Sequence, residues 1–358
     1  MAKKILCMID CLASGGAQRQ LVGLARLLKD SGYRVRLISY YDIPFYDSYL
    51  DEHGVEYEYL AKANNKWRRI FTIYKYIKTY SPDVVISYLD GPSIIACICK
   101  MLGAGKFKLI VSERNTTQQL TVKERIKFWS YRFADKIVSN SYTQDKFIRA
   151  QYPFLSPKCE VITNCVDLKR FRPSSVEYTP NEDCLHIVGV GRFSEQKNVL
   201  RLIEAVNIIR RHYPVKVSWY GKPSSYMKSC EEKVKMYGME NIFEMYAPKE
   251  DIENVYRSAD LFCLPSIYEG FPNVLCEAMS CGIPVVCGRV CDNPYIVEEG
   301  KSGFLFDPND VQDIIRVIER FIALPVEQKK ELAHNARLQA ERLFSEETFL
   351  NLYLRIIG

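Results

Sequence analysis

Leu261-Phe262-Cys263-Leu264-Pro265-Ser266-Ile267-Tyr268-Glu269-Gly270-Phe271-Pro272-Asn273-Val274-Leu275-Cys276-Glu277-Ala278-Met279 reads as a buried strand, a loop and the start of a helix. The apolar run 261–264 has the length of a core strand. Glu269 and Gly270 make the loop, Pro272 suits a first helical turn, and helical pattern runs on from Val274. A helix that starts just past a strand end offers free backbone N–H groups and positive dipole potential, which suit a phosphate. Glu269 stands at the mouth of the loop and Glu277 about one turn into the helix. Carboxylates only accept hydrogen bonds, so they suit the vicinal hydroxyls of a sugar. Taken alone, the same residues also fit a surface turn with two solvated glutamates.

The strand–turn–helix unit recurs in both directions from this point. Gly189-Val190-Gly191-Arg192-Phe193-Ser194-Glu195-Gln196-Lys197-Asn198 places glycines at a strand-to-helix turn, with Arg192 and Lys197 as two fixed cations. Arginine can hold a phosphate bidentately and lysine acts as a point charge. Ser14-Gly15-Gly16-Ala17-Gln18 follows the first strand and opens a helix in the same way. Strand candidates in the first half are Lys4–Ile9, Val35–Ser39, Val55–Leu60, Asp83–Ser87, Lys108–Ser112, Lys136–Ser139 and Glu160–Ile162. In the second half they are Leu185–Val190, Val215–Tyr220, Ile242–Met245, Leu261–Leu264 and Pro284–Cys287, and a helical tail from Asp310 breaks at Pro325. Strands alternating with helices imply parallel, helix-covered sheets. The expected organisation is α/β: two Rossmann-like, doubly wound domains facing a central cleft. They span 1–170 and 184–344, with a polar, proline-bounded linker at 171–183. Such sheets bind ligands outside their carboxyl ends.

The 358 residues suit two domains, and 47% hydrophobic with 26% charged residues is globular composition. Thirteen cysteines are an odd number, several lie in apolar runs, and they read as reduced packing residues. Asp10 cuts the first apolar stretch too short for a signal peptide, and no apolar run approaches the ~20 residues of a membrane span. A cytoplasmic protein, soluble or peripheral, is expected. The net charge of +6 is unevenly placed: residues 1–180 carry 28 Lys and Arg against 17 Asp and Glu, and the rest carry 21 against 26.

The whole set of motifs resembles the retaining, nucleotide-sugar-dependent glycosyltransferases of family 4, which have the GT-B fold. The resemblance rests on Gly15-Gly16-Ala17-Gln18-Arg19, Asn164-Cys165-Val166-Asp167, Gly191-Arg192 with Gln196-Lys197-Asn198, and Glu269-Gly270-Phe271-Pro272-Asn273 with Glu277. It also rests on 278–286 and Gly303-Phe304-Leu305-Phe306. It implies that Arg192 and Lys197 bind the donor diphosphate and Glu277 the ribose. It implies further that Glu269, with the backbone of Gly270, Phe271 and Pro272, holds the transferred sugar. Asn273 and Val274 would add N–H contacts to the distal phosphate, and Gly15 and Gly16 would lie against the diphosphate from the other domain. Catalytic roles fall to Glu269, Arg192 and Lys197. The expected donor is a nucleotide sugar, with UDP as its nucleotide, and no cofactor or obligatory metal is expected. The expected acceptor is a polyprenyl-diphosphate-linked glycan in surface polysaccharide synthesis. The C-terminal helix, about 345–358, is expected to pack back on the first domain.

The chain departs from the family pattern at Gln18, Cys165 and Ala247, and none of its four histidines falls in an acceptor-side loop. Asp90, Glu113, Arg114 and Asn115, each just past a strand, are candidates to orient the acceptor; they serve equally well as caps of the next helix. Lys66–Tyr80 and Lys123–Lys136 interleave cations with aromatics, a pattern that suits anionic headgroups or an ordinary solvated face. The expected partner of these helices is the cytoplasmic face of the membrane. Nucleic acid is not expected, since no helix-turn-helix, zinc or aromatic RNA-binding signature is present. A sugar-nucleotide epimerase and a catalytically silent partner subunit remain as alternatives.

Overall fold

A computed structural model describes residues 2–60, 65–117, 119–175 and 177–358. The chain divides into two compact units, Met1–Asn164 with Glu346–Gly358, and Cys165–Ser345.

The first unit runs β1 (Lys4–Cys11), α1 (Gly16–Asp30), β2 (Arg34–Tyr41), α2 (Asp47–Glu52), β3 (Glu56–Tyr59), α3 (Lys66–Tyr80), β4 (Val84–Tyr88), α4 (Asp90–Met101), β5 (Lys108–Glu113), α5 (Val122–Ser130), β6 (Lys136–Ser139), α6 (Tyr142–Gln151) and β7 (Cys159–Val161). Its described strands form one sheet in the order β3-β2-β1-β4-β5-β6-β7, paired in parallel throughout. The order reverses between β1 and β4. Ile5 to Ile9 of β1 are wholly buried, as a central strand covered on both faces requires. On one face α3 packs beside α4 and α4 beside α5; α1 packs against the last helix of the chain.

The second unit runs β8 (Leu185–Val190), α7 (Val199–Ile209), β9 (Val215–Tyr220), α8 (Ser225–Met236), β10 (Phe243–Tyr246), α9 (Ile252–Arg257), β11 (Leu261–Leu264), α10 (Asn273–Ser280), β12 (Val285–Gly288), α11 (Asn293–Ile296), β13 (Gly303–Phe306), α12 (Val311–Ile322) and α13 (Val326–Phe344). Its sheet order is β10-β9-β8-β11-β12-β13, again parallel, with the reversal between β8 and β11. The final helix α14 (Glu346–Ile357) returns to the first unit, where Glu346 pairs with Arg26 of α1.

Two expectations need correction. The stretch 171–183 does not stand apart as a linker. Phe171 belongs to the second unit's core, the Tyr178 hydroxyl donates to the Asp260 carbonyl at 2.7 Å, and Asn181 N–H donates to Asp260 Oδ1 at 2.7 Å. The unit boundary falls at Asn164–Cys165 instead, earlier than 170. The basic stretch from Lys123 is α-helical to Ser130 and continues as a 3-10 turn over Tyr131–Phe133, while Lys136 starts β6 and pairs with Glu160 at 2.8 Å.

Candidate active site

In the second unit, two loops at the carboxyl ends of β8 and β11 are joined into one surface. Ile267 N–H donates to the Gln196 carbonyl at 2.9 Å, and the Gln196 side chain donates to the Tyr268 carbonyl at 3.0 Å. Asn198 sits in the left-handed region at φ 58°, and its amide donates to the carbonyls of Pro265 and Pro308 at 3.0 and 2.7 Å. Gly191 and Gly221 permit the close approach beneath. A methyl on Gly221 would collide with the Gly191 carbonyl, which also accepts from Trp219 Nε1 at 2.9 Å.

This joining brings Lys197 to Glu269. Lys197 Nζ lies 2.6 Å from Glu269 Oε1, and the two side chains are 12% and 6% exposed. The lysine stem lies over Gly191, where any Cβ would stand 3.0 Å from its Cδ and Cε. A cation and a hydrogen-bond acceptor, brought from two separate motifs, therefore meet at one point. Glu277 is buried in α10 and accepts from the Tyr256 hydroxyl at 3.1 Å. Arg192 is exposed at the same loop. Phe271 is a core anchor, edge-on to Phe344 at 5.9 Å. The start of α10 has neither a side-chain cap nor an acid in its first turn. Asn273 N–H, expected to face a phosphate, is directed instead at the Phe271 carbonyl at 3.0 Å.

Sequence reasoning missed Cys291 by treating every cysteine as packing. It holds φ 47°, and its sulfur accepts the Glu269 backbone N–H at 3.4 Å. Burial raises its thiol above the ordinary value, so it stays a neutral acceptor.

In the first unit, Gly15 precedes α1 in extended backbone and Gly16 opens the helix, at the end of β1 beside the reversal of strand order. The four acceptor-side candidates separate. Asn115 is exposed. Asp90 opens α4 with its carboxylate partly exposed. Glu113 and Arg114 are buried, 1% and 8% exposed, and both are engaged with protein partners. Glu113 accepts from Lys127 at 2.7 Å, from Gln144 at 3.3 Å and from the Tyr131 hydroxyl. Arg114 stacks on Tyr88 at 3.8 Å and donates to Asn164 Oδ1 at 2.9 Å and the Tyr353 hydroxyl at 2.8 Å. It thus binds α14 to the first sheet. Burial pushes the Glu113 carboxyl up, against the pull of Lys127. Burial also opposes the charge on Lys127, but the attraction of Glu113 and Asp90 outweighs it and raises that ammonium.

Residues 14–170 match the model described as Glycosyltransferase Family 4, and residues 172–339 match that of glycosyl transferases group 1. The chain belongs to glycosyltransferase family 4. An Escherichia coli relative, UDP-Gal:alpha-D-GlcNAc-diphosphoundecaprenol alpha-1,3-galactosyltransferase, is 25% identical over 85% of this chain and 84% of its own. A Campylobacter jejuni relative is 26% identical over 80% of each chain. That protein is N-acetylgalactosamine-N,N'-diacetylbacillosaminyl-diphospho-undecaprenol 4-alpha-N-acetylgalactosaminyltransferase. Among solved structures, a Rickettsia africae glycosyltransferase matches with TM-score 0.87 at 19% identity, over 99% of this chain and 98% of that one. Anabaena HepE in complex with UDP matches with TM-score 0.85 at 21% identity, over 98% of each. This family 4 glycosyltransferase has the GT-B fold, with a parallel wound sheet in each unit.

Proposed function

We propose that this glycosyltransferase moves a sugar, with retention, from a UDP-sugar to a sugar carried on a polyprenyl diphosphate, in surface polysaccharide synthesis. The observation that carries the reading is the Lys197–Glu269 pair at 2.6 Å beside the start of α10. As the glycosyl bond breaks, negative charge gathers on the departing diphosphate. Lys197 and Arg192 stabilise it there, in the place a metal ion would otherwise take, and a preorganised donor of this kind contributes about 3 kcal/mol to the barrier. Glu269 and the backbone of Gly270, Phe271 and Pro272 hold the transferred sugar, with the Cys291 sulfur steadying the Glu269 backbone. Glu277, steadied by Tyr256, accepts from the ribose hydroxyls. The N–H of Val274 serves the distal phosphate; that of Asn273 joins once it leaves the Phe271 carbonyl.

The names of the E. coli and Campylobacter relatives, both of which specify a diphosphoundecaprenol carrier, support the lipid-linked acceptor. The E. coli relative's name and the HepE complex support UDP. No helix among the described residues is long and apolar enough to cross a membrane. Attachment to the membrane surface is supported by two helices that flank α4. On α3, Trp67 and Phe71 are exposed among Lys66, Arg68, Lys75 and Lys78. On α5, Val122, Ile126 and Trp129 are exposed beside Lys123 and Arg125, and Arg132 lies over Trp129 at 4.5 Å. Aromatic residues insert at the interface while each cation adds about 1 kcal/mol near an anionic surface.

Thermal shift with UDP, GDP and ADP tests the donor reading. Stabilisation by UDP above the others is expected. No response to any nucleotide diphosphate would overturn it.

A further inference from the structure

The buried Lys127 of the first unit organises the one acidic group of this cluster that reaches solvent. Glu113 is 1% exposed, Lys127 4% and Asp90 23%. Lys127 Nζ lies 2.7 Å from Glu113 Oε2 and 3.1 Å from Asp90 Oδ1, and Lys123 Nζ lies 3.5 Å from Asp90 Oδ2. The Tyr131 hydroxyl and Gln144 also donate to Glu113. The chain of contacts therefore runs from a carboxylate held by three donors in the core, through a buried ammonium, to a partly exposed carboxylate with lone pairs still open.

Stability does not account for this arrangement, since a buried ion pair is often no better than apolar residues of equal volume. Its position offers another reason. Asp90 follows β4 directly, beside the reversal of strand order between β1 and β4, where wound sheets hold their ligands. The residue before it, Leu89, holds φ 72° and ψ 161°, a region essentially reserved to glycine. The backbone is thus held in an unfavourable conformation at the point that aims Asp90.

We propose that Asp90 accepts hydrogen bonds from hydroxyls of the acceptor sugar, and that Lys127, anchored by Glu113, is its positioning residue. The inference rests on the transferase reading above. Asp90 fixes the orientation of the acceptor sugar on the first unit. Lys127 fixes the Asp90 rotamer, and Glu113 holds Lys127 in the core.

Steady-state transfer kinetics of the full chain test this. The donor is a UDP-sugar, and the acceptors are prenyl diphosphates bearing N-acetylglucosamine or N-acetylgalactosamine. Asp90→Ala is expected to lower kcat/KM for the acceptor roughly 10- to 100-fold, the worth of a hydrogen bond to a charged group, with UDP affinity unchanged. Lys127→Met should reproduce most of that loss and Lys127→Arg should restore part of it. The double variant Asp90→Ala/Lys127→Met should be no worse than Asp90→Ala alone. Because Lys127→Met leaves Glu113 buried without its cation, Lys127→Met/Glu113→Gln is measured beside it, with the same loss expected. Additive losses in the double variant, or UDP affinity falling in step with acceptor kcat/KM, would overturn the proposal. Transfer by Asp90→Ala within about threefold of the wild type overturns this assignment alone. A wild-type chain that transfers sugar to no acceptor overturns the transferase reading with it.

Discussion

Replacing Lys197 by methionine separates the structural and catalytic halves of the donor site. The variant keeps the stem that lies over Gly191 and removes only the charge. With side chains 12% and 6% exposed and 2.6 Å apart, Lys197 and Glu269 form a buried pair. Removing one partner of such a pair costs about 3–5 kcal/mol. A domain of 150–250 residues loses about 2–4 °C of Tm per kcal/mol, so the second unit should melt roughly 6–20 °C lower. Turnover should fall on the order of a hundredfold, because a cation no longer meets the departing diphosphate. Lys197→Met/Glu269→Gln removes both charges and should regain most of the melting temperature while staying as slow as the single variant, or slower. Calorimetry without ligand gives the first quantity and UDP release with saturating donor gives the second. If the double variant regained turnover along with stability, Lys197 would be a structural partner only and the electrostatic account of the leaving group would fail.

Glu277→Gln should weaken UDP binding roughly 10- to 100-fold by titration calorimetry, because the ribose loses a charged acceptor; unchanged affinity would contradict the ribose assignment. Gly221→Ala should destabilise the second unit by about 1–3 kcal/mol in denaturant unfolding, since the added methyl meets the Gly191 backbone rather than a side chain that can move aside. Trp67→Ser with Phe71→Ser should lower co-sedimentation with anionic vesicles, by roughly tenfold or more for each aromatic removed. Binding indifferent to these changes, to lipid charge and to salt would exclude α3 as a membrane contact.

The two wound sheets were legible because their strands are short apolar runs set between helical periodicities. Of the second sheet, the alternation of apolar runs does not reveal β13, an edge strand that opens on Gly303 directly after the polar turn 298–302. The stretch 171–183 misled by composition. Its proline and serine content reads as linker, while its attachment depends on single anchors such as Tyr178 on Asp260, 82 residues away. Periodicity placed Arg125 and Trp129 correctly on the outside of α5. It gave no warning that Lys127, between them, points inward, because lysine is surface-seeking unless paired and its partners lie 14 and 37 residues distant. Glu113 ends β5 and Arg114 follows it, and the sequence gives no sign that their contacts turn into the core and toward α14. The donor motifs were readable as a family resemblance, but the Lys197–Glu269 contact joins residues 72 apart and became visible only in the fold.

The most direct test follows both products of one reaction. The purified chain is incubated with a UDP-sugar panel and a prenyl-diphosphate-linked sugar, and UDP release is measured beside the mass and anomeric configuration of the lipid product. One UDP released for each sugar added, with the donor's configuration retained, is the predicted result. UDP-sugars left intact, or a sugar transferred with inverted configuration, would contradict the account.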